Sequence, residues 1–455
     1  MTPQQAFYDG FLGQIQQMAQ AAFPDPRPRE RVLPLARGLV CGDTPKTITS
    51  ALDWLEQQQQ DWSASYRLFS QSQWEAQSFF APLLAAGLEW SPDPSAPLYT
   101  AQDDSLVRKT GRKIPNTSYL RDPLGPPFQV NLVLGQRFLQ TSLLVRPAGQ
   151  PGPFRSIPVH FTQAAPLKAP PRASAEQKKQ LKEARKKHNL SVIAKQDLLL
   201  LQQEIQRSLG GQKRTILHAV DGSFANKTFL LDLPPEVVVV ARIRKNAHLR
   251  RVLPDHSPPG PRKYGEALPT PEEILQDRSI PFQRATIFVA GQLRTLQFKE
   301  ISNLCWPKVR GTQPGRLLVI RAAGYRLRKG SKLLYREPAF LFCTDSVLAV
   351  THLLQAYFAR WEVEVNFRDE KSILGVGQAQ VWNINSISRA PAFLVACYAA
   401  LLLTSLKVFD DVRDDAVFGP LPVWRRHQPR RPSSRDLVAL LRKLDRDKHS
   451  CPRNA

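Results

Sequence analysis

The chain has 455 residues, 42% apolar and 22% charged, a balance that excludes general disorder and leaves room for two or three domains around a sizeable core. Its 63 Lys and Arg against 39 Asp and Glu give a net charge of +24, which points to a polyanionic partner, nucleic acid before membrane surface. Cys41, Cys305, Cys343, Cys397 and Cys451 show no paired CxxC spacing, which excludes a disulfide framework and a cysteine-ligated structural zinc site and indicates a reducing compartment.

The N-terminus, MTPQQAFYDG, has no positive region leading into an apolar stretch, so no signal peptide is expected and the expected location is cytoplasmic. Residues 1–92 are rich in Gln, Ala, Leu and aromatics, and Leu52, Leu55, Trp62, Tyr66 and Phe69 recur at helical intervals. They predict a small helical domain, either one that binds DNA ends or a plain packing domain. The Pro-rich SPDPSAP at 91–97 then breaks the chain.

From there the pattern turns to strands, in PLYTAQDDSLV and PFQVNLVLGQRFLQTSLLV. Residues 151–172 are Pro-rich and read as a loop, and 176–209 read as one long helix with basic residues gathered at its start, a phosphate-facing surface. RTILHAVDGSF and EVVVVARIR are strands separated by the helix-like ANKTFLLDL, and the β-branched run Val237–Val240 suits a strand buried on both faces. These elements form the first part of an α/β core, residues 93–255. Residues 253–282 are rich in Pro and Gly. TIFVAGQLRTLQF and GRLLVIRAA then predict a β-rich insertion over 256–340, and EPAFLFCTDS leads into the second part of the core, 341–409. Within it the uncharged run Ala390–Leu406 is at the lower length limit for a bilayer span, and a buried core helix is expected. The tail 410–455 reads as basic and loop-like.

The most informative stretch is YFARWEVEVNFRDEK, residues 357–371. At about 100° per residue, Tyr357, Arg360, Glu364 and Lys371 fall in one strip about 60° wide on a single helix. Phe358, Trp361, Val363, Val365 and Phe367 flank that strip and would seat the helix in a core. Glu362 and Glu370 lie off the strip and read as surface acids.

Acidic residues at strand ends are the natural partners of Glu364, because the carboxyl ends of neighbouring strands in an α/β sheet converge on one edge. The pair Asp103–Asp104 ends the first strand, and Asp221 ends an apolar strand ahead of Gly222. Asp345 also ends a strand, but in Thr344–Asp345–Ser346 it stands where a cap for the following helix belongs. Three carboxylates sharing a site repel unless a cation neutralises them, and hard oxygen-binding ions such as Mg²⁺ or Mn²⁺ do so. No Walker A, GxSxG or HExxH motif occurs.

The spacing Tyr357-x2-Arg360-x3-Glu364-x6-Lys371 resembles the Tyr-Arg-Glu-Lys signature of DDE transposases of the bacterial insertion-sequence-four type. VDGSFANKTFLLDLPPEVVVVARIRKNAHL and AQDDSLVRKTGRKIP are similar to the stretches around that family's second and first aspartates. The resemblance implies a ribonuclease-H-like mixed sheet flanked by helices, interrupted by a mostly β insertion and preceded by a helical domain. It implies that two Mg²⁺ or Mn²⁺ ions are held by Asp104, Asp221 and Glu364, with Tyr357, Arg360 and Lys371 on DNA phosphate. Asp104 is preferred because Ser105 then aligns with the family's Thr, although alternation along a strand admits only one of Asp103 and Asp104. By the same resemblance Asp345 is not catalytic, and Trp306 is either a base-stacking residue or a core residue. The implied activity is metal-dependent cleavage and joining of double-stranded DNA at the terminal inverted repeats of a mobile element and at its target, by a homodimer. The alternatives are a metal-dependent nuclease and an inactive DNA-binding relative.

Overall fold

A computed structural model describes residues 1–449 except 123–124, 126–127, 148–151, 254–262, 290, 323, 326–331, 333, 336 and 425–428. The chain begins with five helices: α1 (Pro3–Ala22), α2 (Pro26–Cys41), α3 (Ile48–Trp54), α4 (Trp62–Ser70) and α5 (Ala81–Leu88). The first four start where the sequence supplies a cap. The side chains of Thr2, Asp25, Thr47 and Asp61 each accept a first-turn N–H, and Pro3 and Pro26 occupy first-turn positions where no N–H is needed.

The strands and helices that follow are β1 (Leu98–Arg108), β2 (Ser118–Arg121), β3 (Leu132–Val145), β4 (Arg155–Gln163), α6 (Ala175–Lys187), α7 (Leu190–Ser208), β5 (Ile216–Val220), α8 (Lys227–Leu230) and β6 (Val237–Arg242). Then come β7 (Arg250–Arg251), α9 (Pro271–Gln276), β8 (Gln283–Val289), β9 (Gln292–Cys305), α10 (Pro307–Arg310), β10 (Pro314–Ile320), the small ladder of β11 (Gly324–Tyr325) with β12 (Leu334–Tyr335), and β13 (Ala339–Cys343). The chain closes with α11 (Val350–Ala359), α12 (Trp361–Ser372), α13 (Ser386–Phe409), α14 (Asp415–Phe418) and α15 (Ser434–His449).

The fold is mixed α/β. Among the described residues one eleven-stranded sheet runs β2-β3-β1-β5-β6-β13-β10-β9-β7, with β4 added on β3 and β8 on β9. β1, β5 and β6 are parallel to one another, and the remaining pairs are antiparallel. Alternation along the central strands divides their side chains between two helical layers. Ala101, Leu217, Ala219, Val238 and Val240 pack with Leu353, Leu354, Ala356, Ala359, Val363 and Phe367 of α11 and α12. On the other face Leu139, Val220, Val237 and Val239 pack with Ile193, Ala194 and Leu198 of α7 and with Phe229 and Leu230 of α8. Val237–Val240 are thus buried on both faces of the sheet.

Several elements differ from the sequence reading, each for a physical reason. The Pro-rich 151–172 contains β4, an edge strand whose Pro158 sits at a register shift against Ser142, a place where a strand tolerates a missing N–H. The single helix expected over 176–209 is two, because His188 ends α6 and the Asn189 side chain caps α7 by accepting from the Val192 N–H. The β-rich insertion is not a separate body. β13 pairs with β6, and β10 and β9 follow, so these strands extend the central sheet.

The tail likewise contains α15, whose Leu437, Val438, Leu440 and Leu441 are buried against the N-terminal helices and α13. Asp445 fastens it there, accepting from Tyr8 Oη at 2.7 Å, Arg37 Nε at 2.7 Å and Trp54 Nε1 at 2.8 Å. Both chain ends therefore share one core with α13, which is buried continuously from Pro391 to Leu406 as the reading of a core helix expects.

Candidate active site

β1 and β5 place the first acids. Their register runs from Leu98↔Ile216 to Gln102↔Val220, so one step further Asp103 and Asp221 come level on adjacent parallel strands. Asp221 is still extended (φ −76°, ψ 168°), so alternation carries through it. Ala101 and Ala219 face α11 and α12, and Asp103 and Asp221 take the same face two residues on. Thr100 and His218, on the opposite parity, meet each other at 2.8 Å on the α7 face.

This geometry separates the two adjacent aspartates. Asp104 pairs in register with Leu139, whose side chain lies in the α7 layer, and its carboxylate is 3.4 Å from Arg137 Nε. Asp103 pairs with Gln140, whose side-chain amide faces the Glu370 carboxyl of α12. Asp103, not Asp104, therefore shares a face with Glu364. The likeness of Ser105 to the family's Thr favours Asp104, whereas strand parity puts Asp103 on the face of Glu364.

The helix supplies the rest. Its polar strip is not on one unbroken helix: α11 ends at Ala359, α12 begins at Trp361, and Arg360 (φ −50°, ψ −33°) forms the joint, with its N–H donating to Ala356 O at 3.0 Å and its carbonyl accepting from Val363 N at 2.9 Å. From that joint the Arg360 guanidinium reaches two acids, donating through Nη1 to Asp103 and through Nη2 to Glu364 at 3.0 Å. Lys371 Nζ donates to Ser105 Oγ at 2.6 Å, so the far end of the strip also lies on β1. Tyr357 stands edge-on to Phe358, ring centroids 5.3 Å apart, on the same side.

Electrostatics tie the group together. Burial pushes the Asp103 carboxyl up to about 7, against the opposing pull of Arg360. Burial also raises Glu364 and Asp104, with Asp221 adding repulsion to both, while Arg360 opposes the rise at Glu364 and Arg137 the rise at Asp104. The Tyr357 hydroxyl is raised by burial and lies in the field of Arg242, Arg360, Asp221 and Glu364. Burial lowers Lys371. The charge of Asp221 is felt at Asp103, Asp104, Tyr357, Arg360 and Glu364.

Asp103, Asp221 and Glu364 offer only carboxylate oxygens, a donor set that fits a hard divalent cation and no soft one. Among the described residues, however, no group of three or more Asp, Glu, His or Cys stands at metal-holding spacing. Arg360 supplies the positive charge between Asp103 and Glu364 instead.

Other residues singled out in the sequence have partners of their own. Asp345 accepts from the N–H groups of Val347 at 2.8 Å and Leu348 at 2.6 Å, a turn cap ahead of α11 and apart from the acids. Trp306 packs its ring on Phe342, centroids 5.4 Å apart, as a core residue does. Glu362 and Glu370 are not free surface acids. Glu362 accepts from Arg431 Nη2 at 2.5 Å, and Glu370 is 2% exposed, its carboxyl pushed up to about 8 by burial. Arg137 and Arg242 escaped sequence reasoning because strand pairing and helix packing bring them in, and neither has a local spacing signal. No known family model matches this chain, and no curated protein matches it.

Proposed function

We propose that the chain is a DDE transposase: it cuts double-stranded DNA at the terminal inverted repeats of a mobile element and joins the freed 3′ end to target DNA, on a ribonuclease-H-like core in the cytoplasm. The observation that carries this reading is the meeting of two level strand acids, Asp103 and Asp221, with Glu364 and its flanking Tyr357, Arg360 and Lys371. Asp103, Asp221 and Glu364 would hold two Mg²⁺ or Mn²⁺ ions, which when bound supply the positive charge that lets a hydroxyl attack phosphorus and an oxygen leave.

The chain's own groups do the rest. Arg360 and Lys371 are cations fit to grip phosphate at the cut end, and the Tyr357 hydroxyl, kept protonated by burial, is a donor to it. α6 has no buried residue and displays Lys178, Lys179, Lys182, Arg185, Lys186 and Lys187 to solvent, a surface suited to the duplex backbone. A homodimer would bring two ends together.

A second reading, a relative that binds DNA without chemistry, draws on the pairing of Arg360 with Asp103 and Glu364. The experiment is incubation of the protein with Mg²⁺ and short duplexes carrying the inverted repeats that flank its reading frame. Cleavage followed by joining of the 3′ end supports the transposase. Cleavage alone supports a nuclease, and tight binding with no product, unchanged by Glu364→Ala, supports the inactive relative.

A further inference from the structure

The Arg360 guanidinium has two prospective partners that it cannot serve at once. Its terminal nitrogens, Nη1 and Nη2, are directed at Asp103 and Glu364, while Nε is buried without a hydrogen-bond partner. The N–H groups that hold the carboxylates are the ones best placed to grip a phosphate. A divalent cation between Asp103 and Glu364 would stand against the guanidinium charge, and like charges at such range repel strongly in a site where Arg360 is only 12% exposed. Asp221 lies level with Asp103, and its carboxylate makes no side-chain hydrogen bond into the turn that follows it. One carboxylate is therefore ready for a cation, and two are occupied by the chain's own charge. The arginine also sits at the joint between α11 and α12.

We propose that Arg360 is a gate that couples the two ligands: it holds divalent-cation affinity low in the free chain, and DNA phosphate, by drawing the guanidinium away from Asp103 and Glu364, opens the cation site. Cation and DNA then bind with positive cooperativity, and by linkage each strengthens the other to the same degree. The consequence is protective, since a cutting site assembles only on substrate. This rests on the reading of Asp103, Asp221 and Glu364 as cation ligands.

The test measures Mn²⁺ binding to the full chain by the loss of the free-ion electron paramagnetic resonance signal, with and without a short duplex. Arg360→Gln, which keeps a polar side chain and removes the charge, is expected to bind Mn²⁺ about tenfold more tightly than the wild type in the absence of DNA. Duplex should tighten the wild type by a similar factor and leave the variant unchanged. Arg360→Lys, which restores a cation, should stay closer to the wild type; if it binds like Arg360→Gln, charge is not the gate. Equal Mn²⁺ affinity of wild type and Arg360→Gln, each reduced by Asp221→Asn, overturns the gate and leaves the ligand reading standing. Mn²⁺ binding by neither protein, with or without DNA, overturns both.

Discussion

Replacing His160 by Gln should cost stability in a way that depends on pH. His160, on β4, is fully buried with its two ring nitrogens on carboxylates, Nδ1 on Asp197 at 2.9 Å and Nε2 on Glu204 at 2.7 Å. Asp197, on α7, also accepts from Thr141, from Thr162 at 3.1 Å and from Gln102 at 3.1 Å, so the network ties β4, β3 and β1 to the helix directly beneath Asp103. Burial alone would lower the imidazole, but the two carboxylates outweigh it and raise His160 from 6.5 to about 9. The raised group contributes stability that is fully present below pH 6.5 and is lost as pH rises through about 9. At 1.36 kcal/mol per unit that contribution is about 3 kcal/mol. Asp197 is lowered despite its burial, chiefly by His160, so its share is present above its ordinary value of 3.8 and fails only in acid below that. Removing the imidazole leaves a buried carboxylate without its cation, and breaking such a pair costs about 3–5 kcal/mol. Urea unfolding of wild type and His160→Gln, followed by circular dichroism from about pH 6 to pH 10, should show a gap of that size at the acid end that narrows by about 3 kcal/mol at the alkaline end. Parallel stability curves, or a variant as stable as the wild type, would refute the claim that a charged histidine holds this layer.

Three further outcomes follow from the site and its supports. In the Mg²⁺ assay, Asp103→Asn, Asp221→Asn and Glu364→Gln should each lower cleavage on the order of 10⁴-fold while leaving duplex affinity in place, whereas Asp104→Asn should retain most activity; an inactive Asp104→Asn with an active Asp103→Asn would reverse the assignment. Neutralising Lys178, Lys179 and Lys182 on the exposed α6 to Gln should make the log–log salt dependence of duplex binding shallower by about 2–3 units in fluorescence anisotropy titrations, and an unchanged slope would remove α6 from the DNA face. Gly377 has φ +93°, and a Cβ there would stand 2.0 Å from Val107 Cγ1 on β1, so Gly377→Ala should destabilise the protein by about 2–3 kcal/mol, seen as a lower melting temperature.

The sequence by itself determined a great deal. The run Val237–Val240 announced a doubly covered strand, and the uncharged Ala390–Leu406 announced a core helix. These signals are local: a run and a period act within a short stretch of chain. The strip of Tyr357, Arg360, Glu364 and Lys371 was legible for the same reason, even though the helix breaks at Arg360 itself. Leu437, Val438, Leu440 and Leu441 carried a helical pattern too, outweighed by the Pro- and Arg-rich segment before it.

What only the tertiary structure decided was pairing. The choice of Asp103 over Asp104 depends on which face of β1 meets α12, and nothing local distinguishes two adjacent acids. The strands of the expected insertion extend the main sheet because β13 finds the edge of β6, about a hundred residues away in sequence. Glu370 is buried because Gln140 of β3 lies opposite it. Arg360 neutralises the very acids it was expected to stand beside. Spacing along a chain fixes which side chains share a face, but which charge answers which is set by the elements packed across from them, because an ion pair acts through space over a few ångströms and not along the chain.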